Sequence, residues 1–196
     1  MTAGRTINSL SVHWGTPHKY VQAVKDVLNG NIHLDPCSNE FSIVDAVTEW
    51  KLPNTDGLRQ IWDFPTIYVN PPYGRDPVRK TRIKDWLRKC SESNAQFGSE
   101  VLALIPVAAN TSHWKEYVWP TARAICFLYD TRLRFLEDGL DKGKGAPMAC
   151  CMVYWGNDFE KFRSIFGAFG AVIDLSKATI IGRYENTQLE LTARIG

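Results

Sequence analysis

Two adjacent prolines end the most sharply bounded segment of this 196-residue chain. Thr66-Ile67-Tyr68-Val69 is an apolar, β-branched run that stops at once on Asn70-Pro71-Pro72-Tyr73-Gly74. Proline has no N–H to give a sheet and fixes its own φ, so strand pairing cannot pass positions 71 and 72. The chain must leave the sheet there, carrying Asn70 and Tyr73 on the exit turn.

Periodicity supplies the rest of the frame. Thr16-Pro17 opens a helix, with Thr16 as N-cap and Pro17 as first helical residue, and Gly30 stops it. A short strand at 32–34 runs into Asp35-Pro36-Cys37-Ser38, and a second is expected at 43–47. The stretch 79–93 reads as an amphipathic helix with Ile83, Trp86, Leu87 and Cys90 on one face. Apolar strands follow at 101–107, 124–128, 149–155 and 171–175, with helical patterns at 112–118 and 158–166. Strands apolar on both faces and alternating with helices predict an α/β fold, a mostly parallel twisted sheet covered on two sides. No repeat or linker divides the chain, so residues 1–196 are expected to form one domain, with the core over about 14–175 and a polar, frayed lead at 1–13.

Composition excludes several classes. Seven Trp and nine Phe are incompatible with a generic disordered segment. A formal charge of +2 provides no global cationic field, so a nucleic-acid partner must be held by local patches. Five cysteines (37, 90, 126, 150 and 151) without a CxxC pair fit free thiols in a reducing compartment. No apolar run suits a membrane span, and the four histidines lack metal-ligand spacing, so neither a membrane nor a metal is expected.

Ligands of open α/β sheets sit beyond the carboxyl ends of strands, where two polar clusters fall here: Asp35-Pro36-Cys37-Ser38 and Asn70-Pro71-Pro72-Tyr73. The second presents a side-chain amide, a proline carbonyl with no neighbouring donor, and an aromatic face. Two acceptors beside a stacking surface suit a planar substrate with an exocyclic NH2. Such a nitrogen is a poor nucleophile because its lone pair is delocalised into the ring. Accepting both hydrogens favours pyramidal nitrogen and localises that pair toward an electrophile. A plain proline turn, with Tyr73 packed on the core, is the competing reading.

Eight pieces in order carry a family resemblance: Trp14-Gly15-Thr16-Pro17, Leu34-Asp35-Pro36-Cys37-Ser38-Asn39, Asp56-Gly57-Leu58, Tyr68-Val69-Asn70-Pro71-Pro72-Tyr73-Gly74, Trp86-Leu87, Leu104-Ile105-Pro106, Arg132-Leu133-Arg134-Phe135 and Gly145-Ala146-Pro147. Over roughly 14–155 the chain resembles the small phage- and prophage-type (Dam-like) DNA N6-adenine methyltransferases, which use S-adenosylmethionine (SAM). The resemblance implies a Rossmann-like fold and methyl transfer to adenine N6 in double-stranded DNA, releasing S-adenosylhomocysteine. It implies base flipping, a bacterial cytoplasm, and no metal.

The implied roles follow position by position. Asn70, Pro71, Pro72 and Tyr73 take the flipped base, with nitrogen attacking the methyl in line, and Asn70 also borders the cofactor. Trp14, Thr16 and Pro17 cradle the methionine end of SAM. Asp35, Pro36 and Cys37 form the cofactor loop, and Asp56 accepts from the cofactor's adenine; a turn before Gly57 explains Asp56 equally. Asn39 and Asp45 compete for the ribose. The usual FxGxG loop is absent, and only 35 positions from Leu34 to Asn70 serve for two further strands and their helices, so one element must be shortened or missing.

Without a separate target-recognition domain, sequence discrimination falls to two loops. Residues 74–89 carry Arg75, Arg79, Lys80 and Arg82 beside the catalytic motif, and 130–147 carry Arg132, Arg134 and three glycines. Both suit phosphate contacts, and a solvated basic face is the bland reading. Phe135 either stacks on the flipped base or packs beneath the strand. The cysteine reads as packing, because amino-group transfer needs no thiolate. Rival activities are cytosine N4 methylation, glutamine-amide methylation of protein, and an inactive DNA-binding phage accessory protein. A monomer is the simplest expectation.

Overall fold

A computed structural model describes residues 14–130 and 132–178. The polar stretch 1–13, Thr131 and the segment beyond 178 lie outside the described residues. The elements are β1 (Trp14–Gly15), α1 (His18–Val27), β2 (Leu34–Ser38), β3 (Thr48–Lys51), β4 (Thr66–Val69), α2 (Ile83–Phe97), β5 (Glu100–Pro106), β6 (Ala124–Leu128), β7 (Leu136–Glu137), β8 (Leu140–Asp141), β9 (Cys150–Trp155), α3 (Phe159–Phe166) and β10 (Gly170–Asp174). Seven strands form one sheet in the order β10-β6-β9-β5-β4-β2-β3. Its β3, β2, β4 and β5 are mutually parallel; β9 runs antiparallel to both β5 and β6, and β10 antiparallel to β6. Five of the seven strands therefore share one direction, and the sheet is mixed.

Alternation along β4 and β5 builds a core on each face. Tyr68, Leu102 and Leu104 face α1 and α3, whose Tyr20, Val24, Phe162 and Phe166 complete one cluster. Ile67, Val69, Val101, Ala103 and Ile105 face Trp86, Leu87 and Cys90 of α2 and Trp114 of a π-helical turn at Trp114–Val118. Among the described residues, no helix is long and apolar enough to cross a membrane.

Four sequence expectations are corrected. Helix α1 begins at His18, so Pro17 is its N-cap and Thr16 lies outside the helix; no side chain caps it. The Thr16 hydroxyl pairs instead with Tyr68 Oη, 2.6 Å away. The strand expected at 43–47 forms at Thr48–Lys51, where the Val47 and Thr48 N–H groups reach the Ile32 and His33 carbonyls. Helix α2 starts at Ile83 rather than 79. Asp76 Oδ1 accepts from the Val78 and Arg79 N–H groups and holds that segment as a loop, while Asp85 accepts from Arg82 N–H at the true N-cap. Finally, the expected loop at 130–147 contains a β-hairpin. Asp138 and Gly139 turn it with φ of 54° and 77°, the conformation Asp-Gly favours, and β7 then pairs with both β8 and β1.

Between β2 and β4 there is one strand, β3, and one 3-10 turn at Gly57–Arg59. From β2 the chain moves outward to β3 on one side; from β4 it crosses through α2 to β5 on the other. The order reverses between β2 and β4. Such a switch point leaves a crevice beyond the strand ends.

Candidate active site

Both polar clusters project into that crevice. The strand expected at 32–34 forms instead at Leu34–Ser38, so Asp35-Pro36-Cys37-Ser38 makes up most of β2 rather than following it, and its register shifts between Asp35 and Ser38, around Pro36, which has no N–H for the ladder. Two pockets meet at Cys37, Ser38 and Asn39. The narrower is walled by Trp14, Thr16, Asp35, Val44 and Asn70. The larger, about 540 Å³, lies against Pro36, Trp50, Leu52, Thr55, Pro72 and Arg79. That volume lies within the range of about 300–1,000 Å³ usual for small-molecule sites. Its floor depends on Gly57, where a Cβ would overlap the Pro36 carbonyl.

Asp35 is 4% exposed, and Cys37 N–H donates to its Oδ1 at 3.1 Å. Burial is the main cause pushing its carboxyl up to about 7, and Glu49 adds repulsion. A cationic ligand group beside it would recover the charged form. Ser38 Oγ is buried with no hydrogen-bond partner among the described residues, at the rim that both pockets share. An orphaned hydroxyl in a cleft calls for a polar ligand atom. Burial, followed by the proximity of Asp35, pushes the Cys37 thiol well up, so it stays protonated at neutral pH.

Asn70 sits one residue past β4, where its Nδ2 donates to the Trp14 carbonyl at 2.9 Å. Tyr73 Oη donates to the Leu104 carbonyl at 3.1 Å, and its ring meets Phe135 edge-on, at 5.8 Å and 74°. Phe135, 4% exposed, stacks on Trp14 at 5.0 Å and 11°. Of the two readings of Phe135, the structure has the buried one, with the ring packed against Trp14 and Tyr73.

Other expected residues fall in different places. Asn39 lines both pockets and accepts from Phe41 N–H, whereas Asp45 lies outside them, exposed and 3.7 Å from Lys25. Asp56 is engaged within the fold, accepting from Leu58 N–H and from Arg79 Nη1 at 3.2 Å. Arg79 is 19% exposed and also meets Asp76 at 2.7 Å, so it turns inward; Arg75, Lys80, Arg82, Arg132 and Arg134 remain on the surface. Pro17 lines a separate cleft of mixed charge with Lys19, Arg132, Arg134, Asp130 and Asp141. Sequence reasoning passed over Ser38, Trp50 and Thr55. Ser38 had a signal, as the last residue of a polar cluster after a strand; Trp50 needed the correct position of β3.

A crevice at the switch point of an α/β sheet, bordered by the Asn70 amide and the buried Asp35 carboxyl, has the placing of a ligand site in an open α/β protein. The family model for DNA N-6-adenine-methyltransferase (Dam) matches residues 4–181, and the chain belongs to that family. No curated protein and no solved structure matches the chain.

Proposed function

We propose that this chain methylates the N6 amino group of adenine in DNA, taking the methyl group from SAM and acting on a base turned out of the duplex. One observation carries the reading. The Asn70 amide is oriented, with Nδ2 engaged by the Trp14 carbonyl, so that Oδ1 remains as an acceptor beside the two-pocket crevice.

The residues present fit SAM. Asp35 and Thr16 would hold its charged amino-acid end in the narrow pocket, with Asn70 on the same wall. Ser38 and Asn39 would meet the ribose where the pockets join, and Pro36, Trp50, Leu52 and Pro72 supply apolar walls for adenine. When bound, SAM supplies an electrophilic methyl group on a positively charged sulfur. The chain's part is to prepare the nitrogen. Asn70 Oδ1 and the Pro71 carbonyl accept the two amino hydrogens and draw the lone pair out of the ring. Tyr73 offers its ring face to the base and to the positive charge growing on nitrogen. After transfer the extra N–H proton leaves to solvent. Flipping costs a few kcal/mol, which contacts to the extruded base offset.

The fold supports an abbreviated Rossmann-like reading, with five co-directional strands and only β3 between β2 and β4. The exposed Arg75, Lys80, Arg82, Arg132 and Arg134 are assigned to phosphates. With so little surface for base edges, a recognition site of roughly two to five base pairs follows.

The test is incubation with labelled SAM and unmethylated DNA, followed by nucleoside mass spectrometry. N6-methyladenine is expected; N4-methylcytosine, or label in protein only, refutes the assignment. Asn70→Ala should lower single-turnover methylation on the order of a hundredfold, by analogy with deleted transition-state acceptors and donors. Calorimetric SAM affinity should stay within about twofold. A wild-type rate in that variant would make Asn70 a turn residue only.

A further inference from the structure

The turn that carries Asn70 offers little to fix its side chain. Pro71 and Pro72 follow it without N–H groups, so they cannot pair with the amide oxygen. An Asn amide has two near-equivalent orientations that exchange oxygen for NH2. Only one presents an acceptor to an amino group; the other sets donor against donor. A fixed acceptor on the amide's nitrogen side therefore decides which face the substrate meets. The Trp14 carbonyl is such an acceptor, 2.9 Å from Nδ2, and a carbonyl cannot pair with Oδ1.

The carbonyl is itself held from a distant part of the chain. Trp14 and Gly15 pair with Glu137 and Leu136, and a Cβ on Gly15 would lie 3.3 Å from Leu136 Cβ, so the two backbones approach closely. Phe135 stacks on the Trp14 ring and meets Tyr73 edge-on, so it touches residues on both sides of the Asn70 hydrogen bond. We propose that Trp14, through its main-chain carbonyl, and Phe135, through its stack on Trp14, are positioning residues that set the Asn70 amide with Oδ1 toward the substrate amine. The proposal rests on the methyl-transfer reading for its kinetic arm, and on the 2.9 Å contact alone for its spectroscopic one. Phe135 then affects the reaction without touching the base.

Phe135→Leu keeps most of the buried volume and removes the stack; thermal melting of the variant checks folding. In wild type, one Asn70 Nδ2 proton is expected downfield and slow to exchange in 15N-edited NMR. In Phe135→Leu the pair should collapse toward free-amide positions. Single-turnover methylation should fall on the order of tenfold, the scale of one lost hydrogen bond, while SAM affinity stays within about twofold. Phe135→Tyr, which keeps the ring, should recover most of the rate. In an Asn70→Ala background, Phe135→Leu should cost nothing further, since the oriented group is gone. Losses that multiply in the double variant overturn the proposal, as does an Asn70 amide signal unchanged by Phe135→Leu. The NMR arm needs no turnover, so it separates failure of this proposal from failure of the DNA-methylation reading.

Discussion

The Arg79 guanidinium lies 3.2 Å from the Asp56 carboxylate and joins the loop after Asn70-Pro71-Pro72-Tyr73 to the turn that floors the larger pocket. Asp76, 2.7 Å away, closes the other side. Two positions with separate sequence-based roles, one toward cofactor and one toward phosphate, are partners in this structure.

Arg79→Met should therefore behave as a structural change. Urea unfolding should show a lower midpoint than wild type, because the Asp56 and Asp76 carboxylates lose a shared charged donor. The salt dependence of DNA binding should keep its wild-type slope. Arg75→Ala and Lys80→Ala, both on exposed side chains, should each lower that slope by about one. A lower slope in Arg79→Met with stability intact would place Arg79 on the DNA.

Asp35 gives the protein an inverted pH response. Its folded-state carboxyl titrates at about 7, above the ordinary value near 4, so the native state binds more protons than the unfolded one. The stability from this group is full below pH of about 4 and is lost as pH rises through 7. Asp35→Asn should flatten stability between pH 5 and 8 in thermal melts. SAM affinity in wild type should rise with pH to about 7, as the carboxylate forms opposite the ammonium. In Asp35→Asn the affinity should be lower and lack that rise.

Ser38→Ala separates cofactor binding from folding. The Ser38 Oγ has no partner among the described residues, so removing it should leave the free protein's melting temperature unchanged or slightly higher. A hydrogen bond to ligand would be lost, and SAM affinity by calorimetry should fall roughly three- to tenfold. Equal affinity in the two proteins would remove Ser38 from the site.

Cys37→Ser tests whether a thiolate takes part. The buried thiol is held protonated, and amino-group transfer does not need it. Methylation in single-turnover assays should remain within about tenfold of wild type. Complete loss with folding and SAM binding intact would point to attack by sulfur.

The parts legible in sequence are those whose signals are local. Continuous apolar runs placed β5, β6 and β9 within a residue of their observed ends. Helix α3 begins at Phe159, one residue inside the expected 158–166, and Asp158 caps it by accepting from Lys161 N–H. The turn Asn70-Pro71-Pro72-Tyr73 was legible because two prolines permit little else. The misplaced pieces answer to distant partners. The strand Thr48–Lys51 reads Thr-Glu-Trp-Lys and takes its register from β2, so its composition did not single it out. The turn Asp138-Gly139 was a hairpin signal in plain sight, masked by the glycines and lysines beside it. Arg79 looked like a surface cation because its partner Asp56 lies 23 positions earlier. Ion pairs across that separation leave no periodicity to read.

The pairing of Trp14 with Glu137 also sets a timetable. A chain emerging from a ribosome has β2 through β6 in hand before Leu136 appears, and parallel β2, β4 and β5 can already assemble around α2. Asn70 is then present on its finished turn, but the Trp14 carbonyl has no Leu136–Glu137 strand to hold it. Closing a loop of more than a hundred residues is among the slowest contacts such a fold can make. The strand that holds the Trp14 carbonyl against Asn70 is thus made long after Asn70 itself, and the acceptor geometry of that turn waits on a pairing across most of the sheet.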